Sequence, residues 1–186
     1  LGTFNLHASL LPQYRGAAPI NWAIINGERI TGVTTFMIDE EIDTGKILFQ
    51  ESCNIEEYDN MGTLHDKLMN MGSALVVKTV KAIENRRTKP VVQDTTHLTM
   101  RPAPKLSKET GRIDWTKSAG SINNLVRGLS PYPCAWSEMT SGDNTVSVKI
   151  FEAYPVRNDD SSTAPIVNAI YEYYFSDDDP WTAERI

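Results

Sequence analysis

The strongest constraint in the sequence is an alternation near its start. From Phe4 to Ser9, apolar Phe4, Leu6 and Ala8 alternate with polar Asn5, His7 and Ser9, the period-2 pattern of a strand with one apolar face. Asn5, His7 and Ser9 are therefore expected to point the same way. Pro12 cannot donate to a β-ladder, so the strand should close after Leu10 and Leu11. Residues 16–28 then read as a short helix, with Pro19 in the first turn, Ile20, Ala23 and Ile24 as its buried stripe and Gly27 as its stop. Residues 32–38 form a second strand rich in β-branched side chains, the acidic turn 39–45 follows, and residues 46–52 return as a third. Asp43 thus falls in a loop between strands, where a carboxylate can be aimed into a cleft. An amide, an imidazole and a carboxylate brought together this way are the parts of a proton-transfer and oxyanion site.

Beyond the third strand, Leu64, Leu68, Met71, Leu75, Val76, Thr79, Val80 and Ile83 recur at three and four residues. They predict a helix of about six turns with one buried stripe, started by Asp59 or Asn60 and carrying Lys78, Lys81, Arg86 and Arg87 toward its C-terminal end. His65 reads as a surface or boundary residue of that helix. Periodicity then disappears between Lys89 and Lys108, a stretch holding Pro90, His97, Pro102 and Pro104, which reads as an extended linker. A second unit begins with a helix capped by Ser118 or Ser121, buried through Ile122, Leu125 and Val126 and ended by Gly128, Pro131 and Pro133. A β-hairpin turning at Ser141 to Asn144 follows. The remainder, with a polar stretch from Asn158 to Pro165 and an acidic tail, holds one short strand, too little to complete a barrel.

Composition narrows the class. The 186 residues allow one large domain or two small ones, and 40% apolar with 23% charged residues is the balance of an ordinary soluble globular chain. There is no run of 18 apolar residues and no basic-then-apolar leader, so neither a membrane partner nor secretion is expected. Cys53 and Cys134 lie far apart without metal spacing, which suits a reducing cytoplasm. The net charge of −6 is uneven: residues 61–118 hold 11 basic and 5 acidic side chains, whereas 1–60 hold 3 and 9 and 119–186 hold 4 and 10. That middle band is either a solvated helix face with a Lys-rich linker or a surface for a polyanion.

The opening stretch by itself admits three readings. Asn5 and His7 could be hydrogen-bonding core residues with Asp43 in a turn. A metal site is the second, weakened because asparagine is a poor transition-metal ligand and no further His or Cys is spaced to join His7. Asp43-Thr44-Gly45 also matches the triplet of aspartic proteases, which need two such carboxylates.

A longer pattern decides among them. FNLHASLLPQYRGAAPINWAIINGE followed by GVTTFMIDEEIDTGKIL resembles the folate-dependent formyltransferase family, with its Asn-x-His, Ser-Leu-Leu-Pro, Arg-Gly-Ala-x-Pro-Ile and Asp-x-Gly elements in order. RPAPKLSKETGRIDWTKSA and NNLVRGLSPYPCAWSEM resemble the linker and second domain of the members that act on methionyl-tRNA, and the likeness spans roughly residues 1–157. The resemblance implies an α/β fold in which residues 1–88 are the C-terminal part of a Rossmann-like formyltransferase domain, 89–107 a linker and 108–186 a small, incomplete OB-like β-barrel domain that contacts tRNA. Because the chain opens on Leu1 and reaches a strand at once, the sheet's earlier strands are expected to lie outside it, beyond an exposed apolar edge near Phe4 and Val33.

The resemblance also implies the chemistry. Asn5, His7 and Asp43 would be catalytic, with Asn5 donating to the oxyanion, His7 taking a proton and Asp43 orienting His7 and favouring its charged ring. Ser9, Leu10, Leu11 and Pro12 would contact folate. The formyl donor would be 10-formyltetrahydrofolate, with no metal, and the acceptor initiator methionyl-tRNA in the cytoplasm, with neither DNA nor membrane as partner. Arg101, Lys105, Lys108, Arg112 and Lys117 would meet the tRNA. The alternatives are a formyltransferase acting on a nucleotide-linked amino sugar and a non-catalytic tRNA-binding remnant.

Overall fold

A computed structural model describes residues 2–156 and the strand from Ile166 to Glu172. Two antiparallel three-stranded sheets each carry a helical layer, so the content is α/β. The first sheet, in the order β1-β2-β3, consists of β1 (Phe4–His7), β2 (Ile30–Met37) and β3 (Ile47–Asn54). Both of its strand pairings are antiparallel. For β2 and β3 the reason is the short connection from Ile38 to Lys46, since a parallel crossover needs about a dozen residues or more.

β1 is shorter than the alternation suggested, because a threonine takes over the role of a ladder partner. Thr34 Oγ1 donates to the Ser9 carbonyl at 2.6 Å and accepts the Leu11 N–H at 3.2 Å, and the Ser9 hydroxyl donates to the Gln13 carbonyl at 2.7 Å. The chain therefore bends at Ser9 instead of continuing as strand. Pairing of β2 with β3 is irregular between Thr35 and Phe36, where β3 holds Leu48 as an extra residue. Such a bulge bends and re-aims the end of a strand pair, here the end that carries the Asp43 loop.

The helix α1 (Pro19–Ile25) begins on Pro19 and buries Ala23 and Ile24, as the sequence suggested. The long helix α2 (Met61–Glu84) lies over β2 and β3. Of the two residues expected to start it, Asn60 is the cap: its side chain accepts the Thr63 N–H at 2.9 Å, and Thr63 Oγ1 accepts the Asn60 N–H at 3.0 Å. The buried stripe is Leu64, Leu68, Gly72, Leu75 and Thr79. Val80, expected inside, is 40% exposed. Leu6 turns the stripe, because it occupies the space at Gly72: a Cβ there would come within 2.6 Å of Leu6 Cδ2. Thr79 is satisfied by bonds to the Leu75 carbonyl and to Thr35 Oγ1. Val33 belongs to this core and is 1% exposed, so it is not part of an exposed edge; β1 does stand at the edge of the described sheet.

Residues 90–104, expected as a linker, contain no helix and no strand, yet they lie back along the first sheet. Val91 forms an antiparallel bridge with Ile47, and Ala103, fully buried, forms a parallel bridge with Gly16. Gly16 has a φ of +123°, and any Cβ there would overlap the Ala103 carbonyl. Only glycine permits that approach.

The second unit starts with a short 3₁₀ turn (Glu109–Gly111), and α3 (Ala119–Leu129) follows, capped by Ser118. The helix runs through Gly128 to Leu129 and stops before Pro131. Gly128 therefore does not end it. Its bare Cα lets α1 pass closely, since a Cβ would come within 2.7 Å of Ile25 Cγ1 and 3.2 Å of the Asn21 carbonyl. Asn21 Nδ2 donates to the Gly128 carbonyl at 2.9 Å, and Arg127 donates to the Glu56 and Asp59 carbonyls at 3.2 and 3.0 Å. The two units are thus bonded to each other.

The hairpin forms as read, with β4 (Ala135–Ser141) and β5 (Asn144–Val156) joined by a turn whose Gly142 has a φ of +60°. β6 (Ile166–Glu172) completes the sheet in the order β4-β5-β6. The stretch from Asn158 to Pro165 and the acidic tail lie outside the described residues, and with them any closure into a barrel. The second core is Ile113, Ile122, Val126, Leu129, Ala135, Ile150 and Ala153.

Candidate active site

The strand geometry separates two faces of β1. Leu6 faces α2, where it meets Gly72, so Asn5 and His7 face the other way. Asn5 is exposed and paired in register with Phe36, while His7 is 7% exposed and paired with Thr34. The Phe36 ring stands edge-on to the imidazole, with centroids 6.4 Å apart and planes at 88°.

Both nitrogens of His7 have assigned neighbours. Nε2 lies 2.8 Å from the Tyr14 carbonyl oxygen, which can only accept, so Nε2 carries the hydrogen. The other nitrogen, Nδ1, faces Asp43 Oδ2 at 3.7 Å, beyond hydrogen-bond range. The neutral ring therefore presents its lone pair at Nδ1, with a carboxylate beside it. Tyr14 is itself fixed at three points: it has a φ of +60°, its N–H donates to the Arg101 carbonyl at 2.7 Å, and its hydroxyl donates to Glu28 at 2.6 Å. Burial, reinforced by the Glu28 carboxylate, pushes its phenol above the usual tyrosine range. It stays neutral near pH 7 and serves as an anchor.

Asp43 is held from two directions. The Gly16 N–H donates to its Oδ2 at 2.9 Å, and its main chain, at a φ of +57°, receives a bond from Gln93 Nε2 at 2.8 Å. Gly45 is required beside it, because a Cβ would overlap the Met37 carbonyl. Thr44 turns its hydroxyl to Asp39 at 2.6 Å. Asp43 thus faces an imidazole and not a second carboxylate, which disfavours the aspartic-protease reading of this triplet.

The structure brings Asn5, His7 and Asp43 to one side of the first sheet. Of the four residues expected to contact folate, Ser9 and Leu11 are buried and use their polar groups internally, and the Leu11 carbonyl also accepts from Gln50 at 2.8 Å. Leu10 and Pro12 are half-buried and keep part of their apolar surface exposed. His65 and His97 are exposed, away from this cluster. Burial pushes the thiols of Cys53 and Cys134 up, so neither is an activated nucleophile. A separate open cleft of about 500 Å³ lies between α1 and residues 100–104, lined by Trp22, Asn26, Met100, Arg101, Pro102 and Pro104. Neither His7 nor Asp43 lines it.

The sequence reading missed Tyr14 and Gln93. Tyr14 acts through its carbonyl, which carries no residue signature. Gln93 sits in the aperiodic segment, where no pattern marks it.

Comparison with known proteins places these residues in context. Residues 1–80 match a sequence model described as formyl transferase, and residues 105–172 match the formyl transferase C-terminal domain. The chain is 57% identical over 153 residues to the methionyl-tRNA formyltransferase of Flavobacterium johnsoniae, covering 82% of this chain and 48% of the relative. It is 59% identical over 156 residues to that of Azobacteroides pseudotrichonymphae, with the same coverage of 82% and 48%. The chain therefore spans about half the length of the curated relatives it matches. Among solved structures, HypX from Aquifex aeolicus in complex with tetrahydrofolic acid superposes with a TM-score of 0.68 at 25% identity, over 83% of this chain and 26% of HypX. An N-formyltransferase from Helicobacter canadensis, in complex with folinic acid and dTDP-3-aminofucose, superposes with a TM-score of 0.67 at 24% identity, over 83% of this chain and 55% of that one.

Proposed function

The chain belongs to the formyltransferase family, and on that premise we propose that it serves to move a formyl group from 10-formyltetrahydrofolate to the α-amino group of methionine on initiator tRNA, in the cytoplasm. The observation that carries the reading is the pairing of His7 with Asp43, with Nε2 held by a carbonyl and Nδ1 open beside a carboxylate. Attack by the neutral amine makes a tetrahedral carbon bearing an oxyanion. The Asn5 amide donates to that oxygen, and His7 Nδ1 takes the proton released from the nitrogen. The Asp43 carboxylate meets the charge so formed, and the proton can return to the folate nitrogen as the carbon–nitrogen bond to the carrier breaks.

In this reading residues 1–88 belong to the Rossmann-like catalytic domain, 89–107 to the linker and 108–186 to an OB-like barrel that meets the tRNA. Leu10 and Pro12 supply apolar contact to the folate beside the main chain of Ser9 and Leu11. The folate delivers the activated formyl group, and the residues named here position it and handle the proton.

The test is formyl transfer to methionyl-tRNA by this chain, alone and with the remaining part of a close relative supplied as a separate polypeptide. Activity is expected in at least the second case. Asn5→Ala and His7→Ala should each lower turnover by on the order of 10²–10³ while leaving the circular dichroism spectrum intact. Near-normal turnover in either variant removes that residue from the mechanism.

A further inference from the structure

We propose that Gln93 is a positioning residue for Asp43, which makes the segment carrying it a working part of the site and not a spacer between domains. The inference rests on the reading of Asp43 as the carboxylate that serves His7.

Gln93 is 8% exposed, and its amide is fully engaged. Nε2 donates to the Asp43 carbonyl and to the Gly45 carbonyl, each at 2.8 Å. Oε1 accepts from Arg15 Nη2 at 2.6 Å and from Arg15 Nε at 3.2 Å. A primary amide has two hydrogens to give and one oxygen with two lone pairs, and every one is used. The orientation follows from the partners: a flipped amide would set its oxygen against two carbonyls and its NH₂ against a guanidinium.

The bonds form a closed ring. Arg15 is covalently next to Gly16, the Gly16 N–H holds Asp43 Oδ2 at 2.9 Å, the Asp43 carbonyl is held by Gln93, and Gln93 returns to Arg15. Asp43 sits at a φ of +57°, a left-handed conformation that aspartate adopts at a cost. Bracing the carbonyls on both sides of Thr44 fixes this turn, and the turn decides where the carboxylate points. The same segment, residues 90–104, also braces His7, since the Arg101 carbonyl accepts from the N–H of Tyr14, whose own carbonyl holds His7 Nε2.

Gln93→Glu tests the idea because it keeps the length and the Arg15 partner but cannot donate. In the 186-residue chain, hydrogen exchange at the Gly16 amide reports whether the Asp43 carboxylate is still in place. Exchange at Gly16 should rise tenfold or more in the variant, while the Ala17 amide, bonded to the Ala103 carbonyl at 2.7 Å, should change less than twofold. Equal change at both, or none at Gly16, overturns the proposal. In the formyl-transfer assay the same variant should lower kcat 10- to 100-fold with KM for methionyl-tRNA within twofold; an unchanged kcat with a faster Gly16 amide also overturns it. Absence of transfer by the unmutated protein would instead count against the proposed reaction, and the Gly16 measurement would still decide whether Gln93 holds Asp43.

Discussion

Asp59 illustrates how a single side chain can be read through its environment. It is 2% exposed, and burial alone would raise its pKa, but Lys67 at 2.7 Å, the Glu56 N–H at 2.8 Å and the Thr63 hydroxyl at 3.1 Å together hold it below the usual carboxylate range. A depressed folded pKa means that the charged form stabilises the fold above about pH 4, and that this contribution fades as pH falls through the lower folded value. Asp59→Asn should therefore cost about 1–3 kcal/mol in urea unfolding at pH 7, and the difference from the unmutated chain should narrow steadily below about pH 4. A difference that stays constant into strong acid would show that shape and not charge holds the residue. Asp59 lies just before α2 and its carbonyl accepts from Arg127, so its ordering also supports the contact with the second unit.

Helices in this protein are legible from local patterns, but their contacts are not. The caps at Asn60 and Ser118 and the stripe of α2 follow from hydrogen-bonding capacity and a period of 3.6. The closeness of α1 to α3 does not, because Gly128 looks like a helix terminator until the facing Ile25 is known. Two alanine substitutions in α3 separate these effects. At Gly120 nothing lies within 4 Å of a built Cβ, so Gly120→Ala should stabilise by up to about 1 kcal/mol through helix propensity. At Gly128 the added methyl meets Ile25, so Gly128→Ala should destabilise by about 1–3 kcal/mol despite the same propensity gain. Thermal unfolding of the pair checks both, and equal shifts would mean that α1 and α3 are not in contact.

Across the whole molecule, several cations of the basic band are paired among the described residues. Arg101 pairs with Glu28, Arg112 with Glu138 at 2.9 Å and Lys117 with Asp114 at 3.9 Å, which reduces the positive field those residues offer. Lys105 and Lys108 are exposed, the Lys108 ammonium lies 5.1 Å from the centre of the Trp136 ring, and the Arg112 guanidinium carbon lies 5.3 Å from the same centre. On the proposed function, reversing Lys105 and Lys108 to Glu should therefore weaken tRNA binding more than reversing the paired cations, and should lower the slope of log affinity against log salt by about two. An unchanged slope would mark the band as a solvated surface. These lysines follow directly on residues 90–104, which brace His7 and Asp43, so a contact with tRNA there would lie one short step along the chain from the candidate site.

The sequence by itself determined the elements and the candidate chemistry. Alternation placed Asn5 and His7 on one face of a strand, the acidic turn put Asp43 in a loop, and the ordered Asn-x-His, Ser-Leu-Leu-Pro and Asp-x-Gly pattern pointed to the formyltransferase family. Those signals are local, carried by period, capping and motif spacing. Only the tertiary structure decided which nitrogen of His7 is open, that Ser9 and Leu11 are buried, and that residues 90–104 return to brace the site. The physical reason is that these features rest on main-chain groups met across the fold, by a side chain where Gln93 Nε2 donates to the Asp43 carbonyl and by other main chain where Ala103 bridges Gly16. Every residue except proline carries the same main-chain groups, so a sequence cannot announce which of them will meet.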